Sequence, residues 1–201
     1  MTPSSAPITS ARATHPPLTS SRPVQVEAHA HAEPPAALLA PLATIDAFMR
    51  QTVTGLALPA NLTDACLYAL LGPGKRMRPL LTWHCFHAIA PSGVDHAPCL
   101  PAAAAIEMVH AFSLVHDDLP GLDNDDLRRG RPTLHKHTSE AMAILAGDGM
   151  LTFAFGVLTD RVSDPALASR LCAELARGAT DMIVGQVYDT LGGTDATLPA
   201  H

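Results

Sequence analysis

Five aspartates lie within ten residues in the middle of the chain, and three arginines follow them at once. The aspartates are Asp117, Asp118, Asp123, Asp125 and Asp126, and the arginines are Arg128, Arg129 and Arg131. Carboxylate oxygens are the ligands that Mg²⁺ prefers, usually together with the oxygens of a substrate phosphate. Guanidinium groups bind phosphate through paired hydrogen bonds and keep their charge. The residue types therefore predict a metal–diphosphate site, and an acidic surface loop is the alternative that the spacing leaves open.

The segment that must position these aspartates is Ala102 to Val115, which is almost wholly apolar and therefore predicts a buried helix. Residues seven apart share a helix face, so His110 and Asp117 are expected on one side of it. Asp123 lies off that face, but Pro120-Gly121 breaks the helix and permits a tight turn. We expect the carboxylates to converge from the helix end and a short loop.

A second cluster of positive charge lies in the sequence GPGKRMRP, which runs from Gly72 to Pro79. Pro79 suits the first turn of a new helix. Lys75 and Arg78 are therefore expected just ahead of a helix N-terminus, where backbone N–H groups and the helix dipole favour anions. The segment predicts a second phosphate site, and a solvated basic turn is the alternative.

Together these segments resemble the trans-isoprenyl (polyprenyl) diphosphate synthase family, and they occur in the family's order. The aspartates and arginines resemble its first aspartate-rich motif, DDxxxxD followed by LRRG, and GPGKRMRP resembles its GGKRxRP segment. GQVYD, from Gly185 to Asp189, resembles its GQxxD segment. The resemblance covers about Ala36 to Gly192 and is closest to the N-terminal portion of bacterial farnesyl and geranylgeranyl diphosphate synthases. It implies an all-α, isoprenoid synthase-type helical bundle.

The resemblance also implies a reaction, the head-to-tail condensation of isopentenyl diphosphate with an allylic diphosphate. It assigns a Mg²⁺ site, with Mn²⁺ as an alternative metal, to Asp117, Asp118 and Asp123. It assigns the allylic diphosphate to Arg128, and isopentenyl diphosphate to Lys75, Arg78, His110 and Arg129. Gln186 matches a residue near the allylic cation, where a carbonyl dipole stabilises positive charge.

Product length in such enzymes is expected to depend on the depth of the pocket beneath the first aspartates. Phe112 and Ser113 lie five and four residues before Asp117. An aromatic residue at the first of these positions resembles bacterial farnesyl diphosphate synthases. We therefore predict a mainly C15 product for a complete enzyme, with C20 as the alternative.

One departure from the family pattern affects the expected activity. The family carries a second aspartate-rich motif and a lysine segment further downstream, and this chain ends at His201 before either. We therefore expect a truncated bundle that lacks its C-terminal helices and exposes apolar faces. This fragment is predicted to have little or no turnover by itself, whereas the complete enzyme is expected to be a homodimer.

Two other classes of protein remain as alternatives. A catalytically incompetent subunit of a prenyl synthase heteromer is expected to carry damaged motifs, whereas the first motif and its arginines are intact here. A class I terpene cyclase shares metal-triggered ionisation and a helical fold. Such a cyclase needs no second phosphate site, so Lys75, Arg78 and the arginine pair after the aspartates count against it.

Composition indicates a reducing compartment, argues against binding to nucleic acid and favours a bundle helix over a membrane span. A net charge of −6 argues against nucleic acid, whose phosphates attract basic surfaces. Four cysteines without close pairing suggest reduced thiols and a cytoplasmic protein. Residues 141–159 hold a single charge, at Asp148, a composition that fits either a membrane span or the central helix of a bundle, and we favour the bundle helix.

The first 35 residues differ in composition from the rest of the chain. They are rich in Pro, Ser and Ala, have no periodic apolar pattern, and predict a disordered tail. Arg12 and Arg22 precede the first acid, Glu27, which leaves an organelle transit peptide open as an alternative. The helical domain is therefore predicted over residues 36–201.

Overall fold

The computed structural model describes residues 35–192, and the predicted tail up to residue 34 and the last nine residues lie outside this range. Within it the chain is helical apart from one short hairpin, as the all-α prediction required. The helices are α1 (Ala36–Leu39), α2 (Leu42–Thr54), α3 (Ala60–Leu70), α4 (Met77–Ile89), α5 (Leu100–Asp117), α6 (Leu134–His137), α7 (Glu140–Arg161) and α8 (Pro165–Leu191). A short 3-10 helix, Ala97–Cys99, leads into α5.

The core is organised around α5 and α7, which pack against each other along most of their length. Several of the fully buried residues on these two helices are alanines, and small side chains let neighbouring helices approach closely. The fully buried small residues are Ala103, Ala104, Ala105, Ala143, Ala146 and Ala154. Helices α2, α3, α4 and α8 pack around this pair, and larger side chains such as Met108 and Met150 fill the remaining space.

Two stretches of the described chain are long and apolar enough to cross a membrane by length and composition, Ala97–Asp117 and Glu140–Arg161. They contain α5 and α7, the pair at the centre of the core. A buried central helix has the same composition as a membrane span, because both are surrounded by apolar groups. Their packing fits the bundle-helix explanation that the sequence favoured.

Two of the long helices begin just after a residue whose side chain caps them. The Ser139 hydroxyl accepts a hydrogen bond from the Met142 N–H at 3.1 Å, and α7 starts there. The Asp164 carboxylate accepts one from the Ala166 N–H at 2.9 Å, and Pro165 opens α8. Both are N-caps, in which a side chain satisfies a backbone donor that has no partner within the helix.

One predicted boundary needs correction. Helix α4 begins at Met77, so Arg78 lies inside its first turn and only Lys75 precedes the helix. The difference arises because Arg76 occupies the N-cap position in the left-handed conformation, with φ of 48°. A residue other than glycine rarely adopts this backbone, and the sequence gives no sign of it.

The segment after the aspartates contains a small antiparallel hairpin that the sequence did not predict. Strands β1 (Leu127–Arg128) and β2 (Arg131–Pro132) pair with Arg128 opposite Arg131. The two turn residues, Arg129 and Gly130, have φ of 53° and 77°. Positive φ at both central residues is the pattern of the tight hairpin turns that match strand twist.

This hairpin is held against α3 through the ring of Tyr68. The Tyr68 hydroxyl donates to the carbonyl of Pro132 at 2.9 Å, and the Arg131 guanidinium lies 4.0 Å from the ring centroid. The His137 ring stacks on Tyr68 at 3.9 Å. His137 is the last residue of α6. These contacts fix the arginines of the turn relative to the bundle.

Candidate functional site: two charged clusters on one groove

The aspartates converge as predicted, from the end of α5 and the loop that follows. Asp117 is the last residue of α5 and Asp118 is its C-cap. The loop turns back so that the Asp123 N–H donates to the carbonyl of Asp117 at 2.9 Å. Asn124 adopts φ of 54°, and its N–H donates to the carbonyl of Leu119. Backbone hydrogen bonds therefore bring Asp123 back to the helix end.

Burial and repulsion between carboxylates act together in the acidic cluster, which we define as Asp117, Asp118 and Asp123. Partial burial raises the pKa of Asp117 above its ordinary value, and the charges of Asp123 and Asp118 raise it further. Arg128 offsets part of this effect. A divalent cation between Asp117 and Asp123 would relieve the repulsion, so the donor set fits a hard metal ion. Within residues 35–192 no three Asp, Glu, His or Cys side chains form a ready-made metal cage.

Arg128 lies inside this cluster as its counter-ion. Its Nε and Nη2 atoms are each 2.7 Å from Oδ1 of Asp118, and Nη2 is 3.5 Å from Oδ2 of Asp117. Asp118 is only 3% exposed, so the ion pair satisfies a carboxylate that water does not reach. The hydrogen bond to Asp118 raises the pKa of Arg128. Arg128 therefore neutralises Asp118 and leaves Asp117 and Asp123 as the more accessible carboxylates.

Gln186 joins the acidic cluster from α8. Its amide Nε2 donates to Oδ1 of Asp117 at 2.6 Å, and a longer contact of 3.3 Å links it to Thr190. The amide is thus oriented by the first aspartate of the motif. This contact crosses 69 positions of sequence, and it ties α8 to the end of α5.

The four residues predicted to bind isopentenyl diphosphate line a single cavity of about 450 Å³, which we call the basic cavity. They are Lys75, Arg78, His110 and Arg129. Burial and the surrounding arginines lower the pKa of His110 to about 4, so its imidazole is neutral at physiological pH. A neutral imidazole can donate a hydrogen bond to phosphate without adding to the crowding of positive charge. The cavity is therefore suited to a small, multiply charged anion.

The acidic cluster and the basic cavity open onto one groove of about 690 Å³ between α4, α5, α7 and α8, which we call the central groove. Arg78 and His110 line the groove as well as the basic cavity. Asp117 and Gln186 line it too. Most of the remaining wall is apolar, with residues such as Ile106, Leu175 and Met182. One groove thus offers an anion site, a carboxylate cluster and an apolar surface.

Comparison with known proteins gives the family of the chain. Residues 59–199 match the family model described as polyprenyl synthetase. The chain belongs to the polyprenyl synthetase family. Over 146 residues it is 51% identical to the farnesyl diphosphate synthase of Geobacillus stearothermophilus, a match covering 70% of this chain and 48% of that protein.

Two further relatives support the family at the level of sequence and of fold. A chloroplastic geranylgeranyl pyrophosphate synthase 7 of Arabidopsis thaliana is 48% identical over 141 residues, 68% of this chain and 40% of that protein. The crystal structure of a geranyltransferase from Legionella pneumophila superposes with a TM-score of 0.70 at 36% identity, covering 82% of this chain and 59% of that one. The chain therefore spans about half the length of the curated relatives that it matches.

The two residues predicted to set product length in this polyprenyl synthetase line a further apolar pocket. This pocket, of about 490 Å³, includes Phe112, Ser113 and Asp117 from α5 and Met182 and Val187 from α8. Phe112 is buried, and its ring meets the edge of His116 at 4.9 Å between centroids. The aromatic side chain therefore lies just below the aspartates, where the sequence placed it.

Sequence reasoning did not assign a role to three charged residues that the structure connects to the site. Arg76 and Glu107 are largely buried and form part of the lining of the basic cavity, and Asp46 on α2 pairs with Arg76. Burial raises the pKa of Glu107, while the charges of Arg76, Arg78 and Arg129 lower it. A lone acid in the apolar sequence of α5 was the available signal, because a buried carboxylate needs a partner.

His116 was also overlooked, although it directly precedes the first aspartate. Its Nε2 lies 3.2 Å from the carbonyl of Ile144 and 3.9 Å from the carboxylate of Asp148, both on α7. The ring packs so closely on Gly147 that a Cβ there would overlap it. Glycine at this position lets α7 approach the end of α5, so the packing of these two helices positions Asp117.

Proposed function

We propose that this chain carries the substrate-binding groove of a prenyltransferase, which condenses isopentenyl diphosphate with an allylic diphosphate and releases inorganic diphosphate. The observation that carries the proposal is the convergence of two opposite charge clusters on one apolar groove. The names of the relatives, farnesyl and geranylgeranyl synthases, support the same substrate class.

The basic cavity would hold the diphosphate of isopentenyl diphosphate. Lys75, Arg78 and Arg129 supply positive charge, and neutral His110 supplies a hydrogen-bond donor. Guanidinium groups bind phosphate oxygens in pairs, which fixes the orientation of the diphosphate as well as its position. The isoprenoid part of the substrate would then extend along the apolar wall of the central groove.

The acidic cluster would hold the allylic diphosphate through Mg²⁺ at Asp117, Asp118 and Asp123, with Arg128 beside them. A bound divalent cation supplies Lewis acidity that neutralises the charge growing on a departing diphosphate. Gln186, oriented by its bond to Asp117, would place an amide dipole near the allylic carbon. The apolar walls exclude water, which would otherwise react with an allylic cation.

The decisive experiment is incorporation of labelled isopentenyl diphosphate into prenyl products by a fusion protein. Residues 36–192 of this chain would be joined to the C-terminal half of the Geobacillus stearothermophilus enzyme, beside the 201-residue chain alone. We expect magnesium-dependent incorporation by the fusion and little or none by the chain alone. A well-folded fusion that binds neither diphosphate would overturn the proposal, and turnover by the chain alone would overturn the expected inactivity.

The C15 product is part of the same proposal and depends on Phe112. Replacing Phe112 with alanine removes the ring that lies in the pocket below the aspartates and deepens that pocket. In the fusion protein, Phe112→Ala should shift the main product from C15 towards C20 in chromatography of the released alcohols. Phe153→Ala, on α7 and outside the pocket, is the control, and an unchanged product length in Phe112→Ala would contradict the assignment.

A further inference from the structure

The guanidinium of Arg76 lies beneath the turn that carries Lys75 and Arg78. Only 6% of the residue is exposed. Its Nε donates to Oδ1 of Asp46 on α2 at 3.0 Å, and its Nη2 donates to the carbonyl of Gly72 at 2.9 Å. Its Nη1 lies 3.8 Å from Oε1 of Glu107 on α5. One buried side chain therefore connects the turn to two helices.

The backbone of Arg76 is as unusual as its side chain. It is the N-cap of α4 and has φ of 48°, in the left-handed region that a residue other than glycine rarely adopts. Such a conformation persists only where surrounding contacts hold it in place. The contacts of the guanidinium with α2, with α5 and with Gly72 are those that can do so. They determine that Lys75 precedes α4 while Arg78 lies in its first turn.

Gly74 shows how tightly the turn is packed on two guanidiniums. A Cβ added at Gly74 would lie 2.7 Å from Nη1 of Arg76 and would overlap Nη1 of Arg129. Arg129 donates to the carbonyl of Pro73 at 2.7 Å. Arg76 and Arg129 thus bind consecutive carbonyls of the turn. The shape of the turn therefore depends on both guanidiniums and on glycine at position 74, which leaves room for them.

We propose that Arg76 is a positioning residue of the isopentenyl diphosphate site, which acts on the substrate through Lys75 and Arg78. The inference rests on the proposed function, because it concerns the ligand of the basic cavity. Arg76 lines the basic cavity, but its Nε and Nη2 atoms donate to acceptors of the protein, so the residue shapes the anion site while Lys75 and Arg78 supply its more accessible charge. Lysine cannot replace it, since an ammonium group lacks the planar array of donors that reaches three partners.

The test is the affinity of the 201-residue chain for isopentenyl diphosphate, measured by titration calorimetry without metal. Two variants disturb the turn without changing the net charge, Arg76→Lys and Gly74→Ala. Each should weaken binding about tenfold, in the range expected for coupled contacts. Arg50→Lys, on the exposed face of α2, and Gly156→Ala, where an added Cβ meets no neighbour, are matched controls that should bind as the unchanged chain does.

A double-mutant cycle separates positioning from general loss of structure. If Arg76 acts through Lys75, then Arg76→Lys should cost much less affinity in a Lys75→Met background than in the unchanged chain. All variants are compared well below their melting temperatures, where circular dichroism shows that each is folded. Unequal melting temperatures with equal affinities would mean that Arg76 is only structural.

The outcomes distinguish this inference from the function on which it rests. Weaker binding by Lys75→Met together with unchanged binding by Arg76→Lys and Gly74→Ala would overturn the role of Arg76 and leave the site intact. Fully additive effects of Lys75→Met and Arg76→Lys would also overturn it, because independent residues add. An unchanged affinity in Lys75→Met would overturn both the isopentenyl diphosphate site and the inference.

Discussion

The acidic cluster and the basic cavity lie on the same groove, but their charges are compensated in different ways. In the basic cavity, the guanidiniums of Arg76 and Arg129 bind carbonyls of the turn, and Glu107 is a buried counter-ion. In the acidic cluster, Arg128 neutralises Asp118, while partial burial and the charge of Asp123 raise the pKa of Asp117. The cavity is therefore preformed, and the cluster retains uncompensated negative charge.

This difference indicates what each region requires from its ligand. A preformed cavity binds its anion without reorganisation, because its charges are already held by the protein. A cluster of repelling carboxylates gains stability when a cation enters, since binding to the folded state alone raises stability. We therefore expect metal dependence at the aspartates and metal-independent anion binding at the basic cavity. Four predictions test this comparison.

The largest effect is expected from Asp117→Ala in the fusion protein. The variant removes the carboxylate that faces Asp123 and orients Gln186, so it disturbs the metal site and the amide together. The rate constant for prenyl transfer should fall about a thousandfold or more, as for loss of a group that stabilises transition-state charge. Asp160→Ala, exposed near the end of α7, is the control. A fall of less than tenfold would contradict a metal site at Asp117.

Arg78→Met should affect the basic cavity and leave the acidic cluster unchanged. It removes a cation from the basic cavity, and a hydrogen bond to a charged group contributes about 2 kcal/mol, or roughly thirtyfold in affinity. Calorimetry with isopentenyl diphosphate should show this loss with and without Mg²⁺. The shift in melting temperature that Mg²⁺ produces should be unchanged. A variant that also loses the magnesium effect would show that the two regions are not independent.

Magnesium should stabilise the chain, and Asp123→Asn should reduce that effect. Because the pKa of Asp117 is raised in the folded state, the cluster favours folding at low pH, and this stability is lost as pH rises through that pKa. At pH 8 we expect Mg²⁺ to raise the melting temperature by about 5 °C, and less at pH 4.5. Asp123→Asn should melt higher than the unchanged chain without metal and respond less to Mg²⁺. Melting curves at both pH values, with and without Mg²⁺, test whether Asp123→Asn raises the melting temperature without metal and reduces the shift that Mg²⁺ produces.

The smallest effect concerns the protonation of His110. Its pKa is lowered to about 4 by burial and by the arginines, so it stays neutral in the folded chain while an unfolded histidine gains a proton below its ordinary pKa. This contribution to stability is present above that ordinary pKa and is lost as pH falls towards 4. Inorganic diphosphate in the cavity should raise the pKa of His110. NMR titration, with the signal assigned by His110→Gln, measures both, and an ordinary pKa without ligand would contradict the prediction.

The acidic cluster was predicted well because its signals are local in the sequence. Pro120-Gly121 indicated the turn that returns Asp123, and helical spacing placed His110 and Asp117 on one side of α5. The N-caps at Ser139 and Asp164 are equally local, since each cap involves residues only two or three positions apart. Local chemistry of this kind can be read without knowledge of tertiary contacts.

The supports of the basic cavity could not be predicted because their partners are distant in sequence. Arg76 finds Asp46 thirty positions away, and its left-handed backbone depends on that tertiary contact. The hairpin at Arg129-Gly130 was also missed, since two-residue strands are too short to show alternation. Arg78 was wrongly placed ahead of α4 because the left-handed backbone of Arg76, after which the helix starts at Met77, has no local signal in the sequence. The homodimer and the cytoplasmic location stay predictions.

The hairpin turn has a mechanical consequence for the two regions. Arg128 ends β1 and reaches the aspartates, while the next residue, Arg129, reaches Pro73 and the basic cavity. Neighbours on so short a turn, anchored at its base by Tyr68, cannot be displaced independently. A displacement of either guanidinium towards an incoming anion therefore also shifts the other guanidinium. The distance between the acidic cluster and the basic cavity is thus constrained by the single peptide unit that joins Arg128 to Arg129.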